Sequence, residues 1–284
     1  MPQILKGAPV ARDIREECGR RAAALRERGI VPTLCILRVG ERPDDVAYEA
    51  SAMKKCEQAG VRAISRALPE GADTQGLLAA VDRLNEDDSV HGVLLLRPLP
   101  RGVDEDAAKE RLLPQKDVDC MGDGNLYRVL GGDESGFLPC TPQAVVRILD
   151  HYGISLEGKE AVVIGRSLVV GKPLSMMLLS RNATVTICHS RTANLAEVCR
   201  RADVLVCAAG VPGMVDRTFV KPGAIVVDVG IHLDGDGKLT GDARFDSVQE
   251  VAGGTTPVPG GVGSVTSWLL VEHVIRACET AKAE

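Results

Sequence analysis

Aromatic residues are scarce in this sequence: phenylalanine, tryptophan and tyrosine together account for 2% of its 284 residues. Positive charge is not in excess either, because the formal net charge at pH 7 is -5. Proteins that bind nucleic acids usually present a basic face, often with aromatic side chains on which bases stack. We therefore expect no nucleic-acid partner.

The chain also lacks an apolar run long enough to cross a bilayer, so no membrane insertion is expected. Its first residues have neither the basic start nor the long apolar core of a secretory signal, and the expected location is the cytoplasm. Nine cysteines form no C-x-x-C pair, which favours reduced, buried thiols over disulfides or a zinc site. The five histidines show no metal-ligand spacing, and no metal is expected.

Helical and strand patterns alternate along most of the chain, whose length of 284 residues favours two domains. Helices are predicted at 9–29, 48–60, 74–87, 143–153, 173–181 and 264–282. Strands are predicted at 31–39, 61–69, 91–100, 160–165, 183–188, 203–209 and 224–230. A loop-rich middle is expected from 98 to 142. The alternation predicts an α/β fold with parallel sheets covered by helices.

A glycine turn, Gly165 to Gly171, joins a predicted strand to a predicted helix. Such a turn offers backbone N–H groups and the positive end of a helix dipole, which suits a phosphate group. Its Gly-x5-Gly spacing differs from the G-x-G-x-x-G dinucleotide fingerprint, so an ordinary tight turn without a ligand is an equally good interpretation of this feature alone.

The next predicted strand bears on the choice of nucleotide. NAD-binding sheets carry an acidic residue about 20 positions after the glycine turn, where it binds the ribose hydroxyls. This strand instead ends in His189-Ser190-Arg191-Thr192. Arg191, and Arg166 in the glycine turn, are suited to a 2′-phosphate because guanidinium groups form paired charged hydrogen bonds with phosphate. NADP is preferred over NAD, which stays possible; two solvated arginines are the alternative.

Six sequence blocks resemble a known family in order and spacing. They are KDVDC (116–120), PCTP (139–142), GRSLVVGKP (165–173), CHSRT (188–192), KPGAIVVDVGI (221–231) and TPVPGGVG (256–263). Together they are similar to the methylenetetrahydrofolate dehydrogenase/cyclohydrolase family over essentially the whole chain. The resemblance implies two α/β domains, a homodimer and tetrahydrofolate as the substrate, bound between an N-terminal catalytic domain and a Rossmann-like NADP-binding domain.

The resemblance also implies where the domains lie. The catalytic domain is expected at 1–142 together with 266–284, because the family's last helix returns to it. The Rossmann-like domain, with its parallel sheet, is expected at 143–265. The residues expected to bind the cofactor are Gly165, Arg166, Ser167, Gly171, Ser190, Arg191, Thr141 and Ile231.

Two side chains take catalytic roles by this resemblance. Tyr48 matches the tyrosine that stacks on the folate rings, and Asp119 matches the carboxylate that holds the amino-pyrimidine edge of the pteridine. A carboxylate suits that edge because the edge offers two parallel donors. The expected folate-binding residues are Tyr48, Asp119, Leu96, Pro257, Pro259, Gly260 and Gly261.

The chain departs from the family pattern at two coupled positions. The family has a lysine four residues after the tyrosine, and here that position is Ala52. The family has a glutamine before its Leu-Pro-Leu-Pro, and here that position is Leu96, followed by Arg97. Oxidation of the methylene bridge depends mainly on positioning, but hydrolysis of the methenyl bridge needs a general acid or base. We therefore expect a dehydrogenase with weak or absent cyclohydrolase activity.

Two smaller departures and two alternatives to this hypothesis remain. Cys120 replaces a glycine of the family, and Ser264 replaces a proline. A bifunctional enzyme would need Lys55 or Arg97 as a substitute; Lys55 shares a helix face with Tyr48 about 10 Å away, and a guanidinium is a poor base. Solvated or ion-paired side chains are the expected state of Lys54 and Lys55. A third possibility is a folate- or nucleotide-binding regulatory protein without catalysis.

Overall fold

The computed structural model describes residues 2–281. Within this part, the chain divides into two compact units. Residues 2–12 and 139–266 form the first, which we call the large-sheet unit. Residues 13–138 and 267–281 form the second, the small-sheet unit. Positions 1 and 282–284, which include the end of the predicted last helix, lie outside the described residues.

The strands and helices follow one another along the chain. The strands are β1 (Gln3–Ile4), β2 (Thr33–Val39), β3 (Arg62–Leu68), β4 (Gly92–Leu95), β5 (Glu160–Ile164), β6 (Thr184–Cys188), β7 (Val204–Cys207), β8 (Ile225–Asp228), β9 (His232–Leu233), β10 (Leu239–Thr240) and β11 (Gly254–Thr255). The helices are α1 (Gly7–Glu27), α2 (Pro43–Ala59), α3 (Thr74–Glu86), α4 (Glu105–Arg111), α5 (Asp123–Leu130), α6 (Cys140–His151), α7 (Gly171–Leu179), α8 (Leu195–Cys199), α9 (Phe245–Gln249) and α10 (Gly263–Ala281).

The small-sheet unit is built on three parallel strands in the order β3-β2-β4. The central strand β2 is almost entirely buried, which explains its continuous apolar run instead of an alternating pattern. The α3 helix packs its apolar side, including Leu77 and Val81, against the same core. The last helix, α10, belongs to this unit from residue 267 onward, and His273 Nδ1 lies 2.8 Å from the Val118 carbonyl oxygen.

The large-sheet unit is built on six parallel strands in the order β1-β11-β8-β7-β5-β6. The predicted fold class, two α/β domains with parallel sheets, is confirmed. Residues 2–12 are grouped with this unit and not with residues 13–138, because β1 pairs with β11. The predicted domain division placed 1–142 together. The two-residue strands β1 and β11 and the five-residue helix α9 were not predicted, because they are too short to show a periodic pattern.

The predicted loop between 98 and 142 was partly wrong, because it contains α4, α5 and the start of α6. Asp104 caps α4 by accepting a hydrogen bond from the Ala107 N–H at 3.0 Å. The α6 helix begins at Cys140, three residues earlier than expected, since Pro142 is tolerated in a first helical turn. Within residues 2–281, no helix combines the length and the apolar character needed to cross a membrane.

Candidate active site

The glycine turn follows β5 and leads into α7, as predicted. Gly165 has a φ of +142°, and a Cβ at this residue would lie 2.2 Å from the Ala208 carbonyl oxygen. A Cβ at Gly171 would lie 2.2 Å from the Gly165 carbonyl oxygen and 2.7 Å from the Arg166 nitrogen. The turn therefore closes so tightly on itself that neither position has room for a side chain.

Side chains of the two predicted phosphate-binding segments emerge at the same edge of the large sheet. Residues Ile164 and Cys188 are register partners at the ends of the parallel strands β5 and β6. Arg166 and Ser167 follow the first of these strands, and Ser190 and Arg191 follow the second; all four are exposed. The carboxyl ends of parallel strands are where open α/β sheets bind their ligands. This edge fits a dinucleotide that carries several phosphates.

The ordered backbone of the second segment depends on local hydrogen bonds. The His189 N–H donates to Thr192 Oγ1 at 2.8 Å, and the Arg191 N–H donates to His189 Nδ1 at 3.2 Å. These bonds hold the turn after β6 while its serine and arginine side chains stay accessible. Thr141, also expected at the cofactor, is half-buried in the first turn of α6.

A cavity of about 220 Å³ lies elsewhere in the large-sheet unit. Ile231, whose side chain is 60% exposed, lines it. The other sequence-predicted residues that line it are Pro257, Pro259, Gly260 and Gly261. The structure thus brings one expected cofactor-binding residue together with the expected folate-binding loop. Ser264, which departs from the family pattern, lines the same cavity.

The loop that lines this cavity is fixed by main-chain contacts. The Gly7 N–H donates to the Gly260 carbonyl oxygen at 2.8 Å, and a Cβ at Gly7 would come within 2.1 Å of the Gly261 carbonyl oxygen. A Cβ at Gly261 would itself lie 2.6 Å from the Pro257 carbonyl oxygen. Glycine at positions 7 and 261 permits a close approach between these backbone segments.

Two buried aspartates hold the chain behind Ile231, and sequence reasoning missed them. Asp228 accepts hydrogen bonds from the N–H groups of Gly230, Asp242 and Ala243 at 2.8–3.0 Å. Burial raises the pKa of Asp228 to about 6. An acidic residue inside the otherwise apolar block AIVVDVG was the available signal.

The second of these aspartates joins three segments of the large-sheet unit. Asp242 Oδ2 accepts hydrogen bonds from the N–H groups of Ala209 and Gly210 at 2.6 and 2.9 Å, and Asp242 Oδ1 lies 2.7 Å from His232 Nε2. The carboxylate thereby connects the loop after β7 to the β9–β10 hairpin. This arrangement fixes the backbone around Ile231.

In the small-sheet unit, α2 carries the expected stacking residue. Tyr48 is 45% exposed, while Ala52, Cys56 and Ala59 form the buried side of the helix. Gly60 ends the helix with a φ of +77°, as the sequence predicted. Ala52, at the family's lysine position, is only 4% exposed and its methyl group packs in the core.

The second departure lies just past the end of β4. Leu96 is 6% exposed, and its N–H donates to the Leu37 carbonyl oxygen at 2.9 Å. Its aliphatic side chain supplies neither donor nor acceptor. The two positions expected to match the family's lysine and glutamine are thus both occupied by buried apolar groups in this chain.

Asp119 follows a short parallel bridge between Val93 and Asp117. Its neighbour Cys120 has a φ of +54°, a left-handed conformation that favours the glycine of the family pattern and costs a cysteine about 1–2 kcal/mol. Asp117 supports the turn by accepting hydrogen bonds from the Met121 and Gly122 N–H groups at 3.0 Å. The backbone beside Asp119 is therefore held in a demanding conformation by a buried carboxylate.

The two lysines of α2 differ from each other. Lys54 is exposed, as expected. The expectation of a solvated or ion-paired Lys55 was wrong, because Lys55 Nζ donates a hydrogen bond to Ser267 Oγ on α10 and the side chain is half-buried. Burial lowers the pKa of Lys55. Arg97, the other suggested substitute, forms ion pairs with Glu105 and Asp119, each at 3.5 Å.

Comparisons with known proteins cover nearly the whole chain. Residues 5–119 match the catalytic domain of tetrahydrofolate dehydrogenase/cyclohydrolase, and residues 139–282 match the NAD(P)-binding domain of the same family. Bifunctional protein FolD 1 of Desulfitobacterium hafniense is 50% identical over 280 residues, covering 99% of this chain and all of that protein.

Solved structures agree with the sequence matches. The bifunctional FolD enzyme of Campylobacter jejuni, a methylenetetrahydrofolate dehydrogenase/cyclohydrolase, is 40% identical with a TM-score of 0.97, covering 99% of both chains. The Trypanosoma brucei FolD, solved with NADP and an inhibitor, is 34% identical with a TM-score of 0.93 over both full chains. The chain belongs to the tetrahydrofolate dehydrogenase/cyclohydrolase family.

Proposed function

We propose that this protein oxidises 5,10-methylenetetrahydrofolate to 5,10-methenyltetrahydrofolate with NADP, and that it hydrolyses the methenyl product weakly or not at all. The observation that carries the second half is the burial of two apolar side chains, Ala52 and Leu96, at the family's lysine and glutamine positions. Two of the relatives named above are called bifunctional and the third is called a dehydrogenase-cyclohydrolase, so this half of the proposal departs from their names.

The oxidation step does not require the protein to supply an acid, a base or a nucleophile. When bound, NADP supplies the hydride acceptor, and the cation left on the substrate is stabilised by the folate nitrogens. The task of the chain is to position the two reactants. Tyr48, exposed on α2, would stack on the folate rings, and the Asp119 carboxylate would accept the two donors of the amino-pyrimidine edge.

The large-sheet unit would hold the dinucleotide. Its glycine turn has no room for a side chain at Gly165 or Gly171. Arg166 and Arg191 are accessible at one sheet edge, where guanidinium groups suit a 2′-phosphate. Ser167, Ser190 and Thr141 would supply hydroxyl groups. Ile231 would give an apolar contact, since it is exposed beside the 257–261 loop.

Hydrolysis requires a water molecule to be activated and protons to be moved. A positioned general acid or base typically contributes a factor of about 100 to 10,000 to such a step. A methyl group at Ala52 and an isobutyl group at Leu96 move no protons. The methenyl product should therefore leave the enzyme intact and decay at its rate in buffer.

One spectroscopic assay tests both halves. Methylenetetrahydrofolate is mixed with the protein and either NADP or NAD, and the reduced cofactor and the methenyl product are followed separately. We expect reduction with a preference for NADP and persistence of the methenyl product. Strong acceleration of the decay of added methenyltetrahydrofolate over its rate in buffer would refute the proposed loss of cyclohydrolase activity. The absence of reduction with both cofactors would favour a binding protein without catalysis.

A bifunctional enzyme is the second candidate, and the environment of Lys55 favours it. This amine is half-buried, has a lowered pKa and bonds a serine hydroxyl. If it substitutes for the missing lysine, the variant Lys55→Met will lose enzyme-accelerated hydrolysis and keep oxidation. The exposed neighbour supplies the matched control, Lys54→Met, which should change neither rate.

The proposal extends to assembly and location. The family resemblance favours a homodimer, which sedimentation of the purified chain will test. The nine cysteines are all buried, in keeping with the reducing cytoplasm.

A further inference from the structure

Arg97 and Asp119 stand at the same edge of the small sheet. The paired part of β4 ends at Leu95, two residues before Arg97. The segment that forms a parallel bridge with Val93 ends at Asp117, two residues before Asp119. Both charged residues therefore lie just beyond the carboxyl ends of neighbouring parallel segments, which is the usual place for ligand contacts in such sheets.

Their charged groups are paired and partly shielded from water. Arg97 Nη2 lies 3.5 Å from Asp119 Oδ2, and Arg97 Nη1 lies 3.5 Å from Glu105 Oε1. The side chains of Arg97 and Asp119 are 22% and 30% exposed. Glu105 is in turn 2.7 Å from Lys109 Nζ. A guanidinium has five N–H donors, so two ion pairs leave it with donors to spare.

The pair matches one edge of the folate ring in its pattern of donors and acceptors. That edge presents, in order, a 2-amino donor, an N3–H donor and a 4-oxo acceptor. Asp119 offers two acceptor oxygens, and the neighbouring Arg97 offers a charged donor. The order acceptor, acceptor, donor is the complement of the ring edge.

We propose that Arg97 determines specificity for a 4-oxo pteridine by donating a hydrogen bond to the 4-oxo group while Asp119 accepts the two adjacent donors. The inference rests on the proposed function, because that function places the pteridine on Asp119. A 4-amino ring presents N–H groups to the guanidinium at this point, so two donors would face each other. Its N3 carries no hydrogen, so it also lacks one of the two donors that Asp119 accepts. A site that bonds a substrate oxygen rejects the analogue that lacks it.

A tethering role is the competing explanation for Arg97. The guanidinium bridges Asp119 and Glu105, and Glu105 begins α4, so the side chain connects this helix to the sheet edge. A tether would affect folding and the affinity for all pteridines equally. A specificity contact of Arg97 instead changes the ratio between two ligands that differ in the group facing Arg97.

The test compares folic acid with its 4-amino-4-deoxy analogue by calorimetry on the full chain with NADP present. The wild type should bind folic acid about tenfold to a hundredfold more tightly, which converts the usual strength of a charged hydrogen bond into affinity. Arg97→Leu, the residue of the family pattern, should lower this ratio by about tenfold. The part of the ratio that remains reflects the missing N3–H donor opposite Asp119. Arg97→Lys should give an intermediate ratio, because lysine keeps the positive charge but lacks the planar, forked set of N–H donors of a guanidinium.

Arg101→Leu is the matched control, since Arg101 is exposed in the turn that follows. It should keep the wild-type ratio. Suppose that the wild type oxidises methylenetetrahydrofolate and that the ratio of the two affinities is the same in the wild type and in Arg97→Leu. This result would overturn the inference and leave the proposed function standing. Absence of oxidation in the wild type would instead refute the proposed function. Arg97→Lys keeps the test decisive if the leucine variant unfolds.

Discussion

The two units build their candidate sites from different parts of the chain. In the large-sheet unit the candidate site is shaped mainly by the main chain. At Gly165, Gly171 and Gly261 the backbone packs so closely against other backbone atoms that a Cβ would clash. In the small-sheet unit the expected chemistry depends on side chains, and two of those have become Ala52 and Leu96 without disturbing the helix or the strand that carries them. Under the proposed function, cofactor binding is thus tied to the fold, whereas hydrolysis can be lost by exchanging side chains.

The largest expected effect comes from restoring the missing side chains. The double variant Ala52→Lys with Leu96→Gln should raise methenyltetrahydrofolate hydrolysis about 100-fold over the wild type, the lower end of what a positioned acid or base contributes. The measurement is the decay of added methenyltetrahydrofolate. Ala52→Met with Leu96→Met, similarly bulky and without a titratable group, is the control and should gain nothing. A double variant that folds, binds folate and still fails to hydrolyse would show that the small-sheet unit lacks more than this pair.

The second prediction concerns the glycine turn. Gly171→Ala should lower the free energy of unfolding by about 3 kcal/mol, because its methyl group would press on the backbone of Gly165 and Arg166. NADP affinity should fall with it. Denaturant unfolding and cofactor titration measure the two effects.

Gly19→Ala is the matched control for this substitution. Gly19 lies inside α1, and a Cβ there meets no atom within 4 Å. Alanine should stabilise the helix by about 0.5–1 kcal/mol. If Gly171→Ala proves as harmless as Gly19→Ala, the claim that the large-sheet site depends on its main chain is wrong.

The same contrast explains what could be predicted from the sequence. Periodic patterns identified the longer elements, such as β2 and α3, because burial on a defined face requires them. The two-residue strands β1 and β11 have no period to detect, although they decide that the first residues join the large sheet.

Site residues with a local role could be predicted from the sequence, whereas residues joined by long-range contacts could not. Gly165 and Gly171 could be placed from strand, turn and helix signals, because their role is local. The link between Asp228 and Asp242 could not, since 14 positions separate them and the contact exists only in the folded unit. The bond from Lys55 to Ser267, 212 positions apart, was beyond any local pattern.

The third prediction breaks the carboxylate support behind Ile231. Asp228→Asn should lower the free energy of unfolding by about 2 kcal/mol, because the amide keeps one acceptor oxygen and turns its NH₂ group toward a backbone donor such as the Ala243 N–H. Asp236→Asn, in the exposed turn of the β9–β10 hairpin, is the control and should be neutral. Chemical denaturation compares the variants, and equal stability would exclude Asp228 as a backbone support.

This aspartate also predicts a dependence on pH. Its pKa is raised to about 6 in the folded protein, against about 4 in an unfolded chain. Between these values the folded state keeps the proton that the unfolded state has lost, so the contribution of Asp228 to stability falls as pH rises. The stability advantage of the wild type over Asp228→Asn should therefore be larger at pH 4 than at pH 7. An advantage that grows with pH would contradict the raised pKa.

The smallest expected effect belongs to Lys55 in the small-sheet unit. Lys55→Met removes one hydrogen bond and one half-buried charge, so stability at pH 7 should change by less than about 1 kcal/mol. Because burial lowers the pKa of Lys55 below its usual value of 10.5, the folded state releases this proton first as pH rises. In that alkaline window the unfolded chain holds more protons, and the wild type should gain stability relative to Lys55→Met. Denaturant titrations from pH 7 to pH 10 check this, and Lys54→Met, at an exposed site, should run parallel to the wild type. Parallel curves for both variants would mean that Lys55 is hydrated in solution, which would remove the observation that favours it as a substitute for the missing lysine.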